Sequence, residues 1–387
     1  MTESSLIGHA EELVRIIRKS SQPGDQIASE YYRSKKYIGA KDRRFIGEWT
    51  FHTLRTLATA EAYHQAHLHD GLGGPVEAAI AMSRDAEAST FLAELPECTR
   101  INTQPWLLQE TLRRWPDAAA VWQAMTQEAP FTIRVNLRRT TRAEVLQILQ
   151  RDDIPAHAGV HAPAAIIIGK RVALTQHPLY LSGLIEIQDE GSQLISLACG
   201  AEPGMRVLDA CAGAGGKSLH LADLMHDRGT IIARDIEWKR LREIPKRARQ
   251  AGIRIIDIAL IDVKQQHDPS LRSLEPFDVV LVDAPCTGMG TVRRLPMPKW
   301  RLQPEQLLRY TRKQLHILSE NASSVRSGGA LVYATCSILP SENEDVVQRF
   351  LSDHPEFTLE AEQQVDPYHQ GPSPGTDGLY WARLRRS

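Results

Sequence analysis

The chain has 387 residues, enough for two or three cores, and its 46 basic against 47 acidic residues leave a formal net charge of −1, which excludes a global basic excess as the means of holding nucleic acid. Its longest apolar runs, such as residues 164–168, are too short to cross a bilayer, and residues 1–5 lack the charged start and apolar core of a secretory leader, so a cytoplasmic protein without a membrane partner is expected. Five widely spaced cysteines (Cys98, Cys199, Cys211, Cys286 and Cys336), none in a C-x-x-C pair, argue against a disulfide framework or a zinc site, and no metal is expected.

In chain order, residues 1–128 read as a helical domain. Leu6, Leu13, Ile16 and Ile17 recur at helical spacing, as do Phe45, Trp49 and His52, and Pro75, Pro96, Pro105, Pro116 and Pro130 divide the remainder into short segments. Residues 129–187 read as a small α+β subdomain. It has a strand at 132–137, a helix opened by a Thr141/Glu144 capping box, and a strand pair over 164–174 turning at Gly169 and Lys170. From 188 to 387 strands at 206–210, 230–236, 253–261, 278–283 and 330–335 alternate with helices starting near Gly216, Glu237, Pro304 and Ser341, predicting a parallel, doubly wound sheet. Gly328 and Gly329 are expected to close the helix begun at Pro304, and Ser341 with Glu344 to box the next one.

In such sheets a ligand sits beyond the strands' carboxyl ends. The first loop there runs Asp209, Ala210, Cys211, Ala212, Gly213, Ala214, Gly215, Gly216, Lys217, Ser218. A phosphate loop would need glycine where Cys211 stands, and a dinucleotide fingerprint would need its third glycine where Ser218 stands. Asp209 before the glycines repels pyrophosphate but suits a cationic amino acid, as carried by S-adenosylmethionine. Asp235 at the next strand end is placed to accept ribose hydroxyls, and Asp262 at the third to accept from an adenine amino group.

Cys286 and Cys336 fall just past strand ends on the same side of the predicted sheet, whereas Cys98 and Cys199 read as small buried hydrophobes. Two thiols beside Asp283 fit one demanding reaction. Carbon 5 of cytosine takes a methyl group only after a thiolate adds at carbon 6, so one cysteine attacks and the other assists release. Asp283, if held protonated, would donate at N3, and Lys217 would lower a thiol pKa or hold the ring oxygen. Chemistry leaves open which thiol attacks.

The chain resembles the bacterial ribosomal RNA small-subunit methyltransferase B family, related to the NOL1/NOP2/Sun RNA cytosine-5 methyltransferases. The matching stretches are Ile-Arg-Val-Asn at 133–136, Gln-Asp-Glu-Gly-Ser-Gln at 188–193, residues 207–212 with 215–217, Val-Asp-Ala-Pro-Cys at 282–286, Val-Tyr-Ala-Thr-Cys-Ser at 332–337, Glu-Asn-Glu at 342–344 and residues 377–382. The resemblance implies a Rossmann-like, S-adenosylmethionine-dependent methyltransferase domain, with Cys336 as nucleophile and Cys286 aiding release. It also implies cofactor contacts from Cys211, Ala212, Gly213, Ala214, Gly215, Gly216, Lys217, Asp235, Arg240, Asp262 and Asp283. It depicts residues 129–187 as an RRM-like subdomain and the helical domain as NusB-like and RNA-binding, and so names 16S ribosomal RNA as partner and substrate. Ala214 stands in place of the family's usual proline, Ile261 in place of a common glycine, and residues 295–300 depart from the family's usual run.

Basic residues bunch at Arg33, Lys35, Lys36, Lys41, Arg43 and Arg44, at Arg134, Arg138, Arg139 and Arg142, and at Arg293, Arg294, Lys299 and Arg301. The last two groups are expected to flank one RNA path, although each alone reads equally as a solvated surface. Competing functions are a DNA cytosine methyltransferase attacking through Cys286, a scaffold that has lost catalysis, and a nicotinamide-dependent dehydrogenase.

Overall fold

The computed structural model describes residues 1–170, 172–261, 275–367 and 375–387. The chain divides into two compact units, one of Met1–Ala129 with Gly288–Pro304 and one of Pro130–Thr287 with Glu305–Ser387.

The first unit is helical. Glu3–Lys19 buries Ala10, Leu13, Val14 and Ile17 on one stripe, and Ala40–Arg55 packs Ile46 and Leu54 into the same cluster, with Phe45 and Trp49 at its margin. Pro75 and Pro105 each open a helix at its first turn, where a missing N–H costs nothing. Met297 and Trp300 of the later segment pack into this cluster as well.

The second unit holds two sheets. The smaller consists of β1 (Phe131–Val135), β2 (Ala156–Ala158), β3 (Ala165–Ile168) and β4 (Ile185–Ile187), in the antiparallel order β2-β3-β1-β4. The Thr141/Glu144 capping box is present at the start of Arg142–Arg151, whose Val145 and Leu149 cover Ile133, Val135, Ile166 and Ile185. The expected hairpin at Gly169 and Lys170 is absent among the described residues. Ile168 pairs with both Phe131 and Ala156, so each edge of β3 is taken, and Leu174–Gln176 forms a 3₁₀ turn instead.

The larger sheet comprises β5 (Arg206–Asp209), β6 (Thr230–Asp235), β7 (Ile256–Leu260), β8 (Phe277–Asp283), β9 (Val325–Thr335), β10 (Phe357–Val365) and β11 (Leu379–Arg386). Its order is β10-β11-β9-β8-β5-β6-β7, with β9, β8, β5, β6 and β7 mutually parallel, β11 antiparallel to β9, and β10 antiparallel to β11. The chain runs outward from β5 through β6 to β7, then returns to β8 on the other side of β5, so the switch point lies between β5 and β8.

Two local expectations fail here. Pro304–Ala322 ends before Gly328 and Gly329, which instead lie in a bulge of β9 where the register against β8 jumps. Gly328 has φ +70°, and a Cβ on Gly329 would lie 2.9 Å from the Arg326 carbonyl oxygen, so this bulge requires glycine. Ser341 is not the N-cap of the next helix, because Pro340–Glu342 is a 3₁₀ turn and the helix Glu344–Asp353 starts after Asn343. No helix among the described residues is long and apolar enough to cross a membrane.

Candidate active site

The strand ends β5, β6, β8 and β9 deliver their acids and thiols to one rim, because the parallel register is tight. Asp209 pairs with Leu281 and Ala233, Asp283 with Ala334, and the Ala284 amide donates to the Ala334 carbonyl at 2.8 Å. The loop after β5 turns on Gly213 (φ +53°) and Gly215 (φ +82°) before the helix Gly216–Leu224 begins. Asp235 ties this loop to β6. Its Oδ2 accepts from the Gly213 amide and its Oδ1 from the Glu237 amide, both at 2.8 Å. Arg240 lies across the loop, and a Cβ on Gly213 would sit 2.4 Å from its Nη2. Asp262 lies outside the described residues.

Asp209 is fully buried and accepts from the Ser218 hydroxyl at 2.6 Å through Oδ2, while Oδ1 has no hydrogen-bond partner. Burial pushes its pKa up to about 6 against the lowering effect of that hydroxyl. Cys211 is held far above the ordinary thiol range, first by burial and then by the charges of Asp283, Asp209 and Asp235, so it is no thiolate. Cys199 is fully buried and is pushed up to about 12, as suits an inert core thiol, while Cys98 is half-buried.

The two rim thiols meet. Cys286 Sγ and Cys336 Sγ lie 3.2 Å apart, and the Cys336 amide donates to Cys286 Sγ at 3.3 Å. Lys217 Nζ reaches Asp283 Oδ2 at 2.6 Å. Burial pulls the Lys217 ammonium down, but the carboxylates of Asp283 and Asp209 outweigh it and hold the group above its usual value. Asp283 thus accepts from the Lys217 ammonium as an ion pair.

Sequence reasoning missed what holds the thiols. Fully buried Glu342 accepts from the Thr287 amide at 2.8 Å and from the Gln314 side chain at 2.9 Å, and Gln314 also donates to the Pro285 carbonyl at 3.1 Å, so this pair fixes the loop that carries Cys286. Asn343 accepts from the Thr335 hydroxyl at 2.6 Å and donates to the Ser337 carbonyl at 3.0 Å, bracketing Cys336. That commitment is why Asn343 starts the next helix without capping it by its side chain. The Glu-Asn-Glu motif was visible in the sequence; its contacts, across 55 residues in the case of Thr287, were not.

Residues 197–385 match the family model described as 16S rRNA methyltransferase RsmB/F, and residues 104–175 match the RsmF/B-like ferredoxin-like domain. The ribosomal RNA small subunit methyltransferase B of Pseudomonas syringae pv. tomato is 30% identical over 78% of this chain and 69% of its own length. The chain belongs to the ribosomal RNA small subunit methyltransferase B family. A Bacillus subtilis member, "Probable ribosomal RNA small subunit methyltransferase B", is 36% identical over 58% of this chain, and the match spans half of its length. A crystal structure titled as a methyltransferase homolog protein from Pyrococcus horikoshii superposes with a TM-score of 0.64 at 25% identity, covering 75% of this chain and 98% of that one.

This is a family of S-adenosylmethionine-dependent methyltransferases, and the rim fits that cofactor. The orphaned Asp209 Oδ1 matches an ammonium donor, and Gly216 faces open space, with nothing within 4 Å of where a Cβ would be. By contrast, several members of the two basic groups assigned to RNA are bound by groups of the protein itself. Arg134 is buried against Gln188, the Gly216 carbonyl and Asp223. Arg138 binds Asp223 and the Gly252 carbonyl, and Arg139 the carbonyls of Ser182 and Gln250. Arg293 and Lys299 are likewise buried, and Arg301 donates to the Ile17 carbonyl. Arg134, Arg138, Arg139, Lys299 and Arg301 thus bind acceptors of the protein itself that the local sequence does not reveal.

Proposed function

We propose that this chain transfers a methyl group from S-adenosylmethionine to carbon 5 of a cytosine in RNA, of the 16S ribosomal class, through a Cys336 adduct at carbon 6. The observation that carries the reading is the pair of thiols 3.2 Å apart beside the Lys217–Asp283 ion pair. The cofactor would supply an electrophilic methyl group. Asp209 and the glycine loop would hold its amino acid. Each Asp235 oxygen has one backbone partner, which leaves a lone pair on each for the two ribose hydroxyls.

Attack by Cys336 Sγ at carbon 6 forms the C–S bond and moves the electron pair to carbon 5, which then takes the methyl group. Charge developing on the ring falls beside the Lys217 ammonium, which carries the proton to be shared with N3 or O2, while Asp283 keeps that ammonium in place. Loss of the carbon 5 proton and cleavage of the C–S bond end the cycle, with Cys286 near enough to assist both. Assignment of the attacking thiol rests on the Thr-Cys and Pro-Cys motifs, since the two sulfurs share one spot.

Mutation separates the roles. With substrate RNA and S-adenosylmethionine, Cys336→Ala is expected to yield neither product nor adduct on denaturing gels, whereas Cys286→Ala accumulates a protein–RNA adduct. The converse pattern would make Cys286 the nucleophile. Absence of any adduct, with an inactive native chain, would favour the scaffold reading.

A further inference from the structure

Arg134 on β1 and Glu186 on β4 are direct cross-strand partners, so their side chains leave the same face of the small sheet. That face is opposite the one on which Ile133, Val135 and Ile185 pack against the sheet's own helix. Both residues lead to the glycine loop after β5. Arg134 Nη1 donates to the Gly216 carbonyl at 3.0 Å. Glu186 accepts from Arg247 Nη2 at 2.8 Å, and Arg247 Nη1 donates to the Ala214 carbonyl. The helix Ile244–Ala251, which carries Arg247, also presses Ile244 against Gly215, where a Cβ would meet Ile244 Cγ1 at 2.6 Å.

We propose that Arg134 and the Glu186–Arg247 pair are positioning residues for the cofactor, through which the small sheet holds the glycine loop in its binding conformation. The proposal rests on the S-adenosylmethionine reading of that loop. Three glycines within four residues give the loop far more conformational freedom than a binding loop can use. Because a trans peptide holds its C=O and N–H antiparallel, fixing the Ala214 carbonyl fixes the Gly215 amide, which donates to the Ala212 carbonyl at 2.8 Å. Fixing the Gly216 carbonyl in the same way orients the Lys217 amide, one of the donors that a helix start leaves without an intrahelical partner. Two guanidinium groups behind the loop thus set the amides in front of it. Neither Arg134 nor Arg247 needs to touch the cofactor.

Calorimetric titration of S-adenosylmethionine into the full chain tests this. Arg247→Met and Glu186→Gln should each raise Kd about tenfold, the scale of one charge-assisted hydrogen bond, and Arg247→Lys should fall between them and the native chain. Because Glu186 reaches the loop only through Arg247, the double variant should bind no worse than Arg247→Met alone. Amide hydrogen exchange across residues 212–217 should speed up in the same variants by more than it does across β5 and β6. Methyl transfer should show a raised KM for S-adenosylmethionine with kcat little changed at saturation. If the native chain binds and the variants bind equally well, or the double variant's loss is the sum of the singles, the bracing role is wrong. If the native chain does not bind S-adenosylmethionine, the cofactor reading itself falls and the bracing role with it.

Discussion

Lys299 offers a quantitative test, because a buried ammonium carries a large and predictable pH signature. Its side chain is fully buried, donates to the Arg55 carbonyl at 2.7 Å and lies 4.7 Å from the centroid of the Trp300 ring. Burial, reinforced by the Arg55 charge, pushes its pKa down from 10.5 to about 7. Between those two values the unfolded chain binds a proton that the folded chain releases, so the folded state gains stability as pH rises across the window. Below about pH 7 both states hold the proton and the penalty is constant at its full size. At 1.36 kcal/mol per unit the ceiling is roughly 4 to 5 kcal/mol, of which about 3 kcal/mol should be recovered between about pH 7 and about pH 9.5. Lys299→Met retains the apolar stem and removes the charge, at a pH-independent cost of about 1 kcal/mol for the lost hydrogen bond. Urea unfolding of both proteins across that range should therefore show the variant's relative advantage largest near neutrality and shrinking by about 3 kcal/mol toward alkaline pH. A difference that stays constant with pH would show that Lys299 is charged and compensated in the folded chain, and would refute the reasoning.

The contacts around the rim and at the helix caps carry further expectations. Glu342→Ala leaves the Thr287 amide and Gln314 without their buried acceptor, so a stability loss of about 2 to 4 kcal/mol and a collapse of kcat are expected by thermal melting and methyl transfer. Asp235→Ala should weaken S-adenosylmethionine binding, and should also speed amide exchange at Gly213, which loses its acceptor. Thr141→Ala removes the cap from an exposed helix end far from the rim; about 1 kcal/mol of stability should be lost with the cofactor Kd unchanged.

How much was legible in the sequence depended on how local each signal was. Asp209, Asp235 and Asp283 each end an apolar run, and the thiols come just after short breaks beyond two such runs, so a window of about ten residues sufficed to place them on one rim. Glu342 and Asn343 could be seen as a motif but not understood, since what they grip lies on other loops. The basic groups misled for a related reason: charge is written in the sequence, while the acceptor that neutralises it is not. A signal did exist. Arg134 stands between Ile133 and Val135 in a strand, so strict alternation already puts it on the face opposite the subdomain's own core. That face belongs to solvent only if nothing else packs there, and the glycine loop does. Lys299, flanked by Met297 and Trp300, carried the same warning, because a lysine held among residues that pack into a core must find an acceptor there or give up its charge.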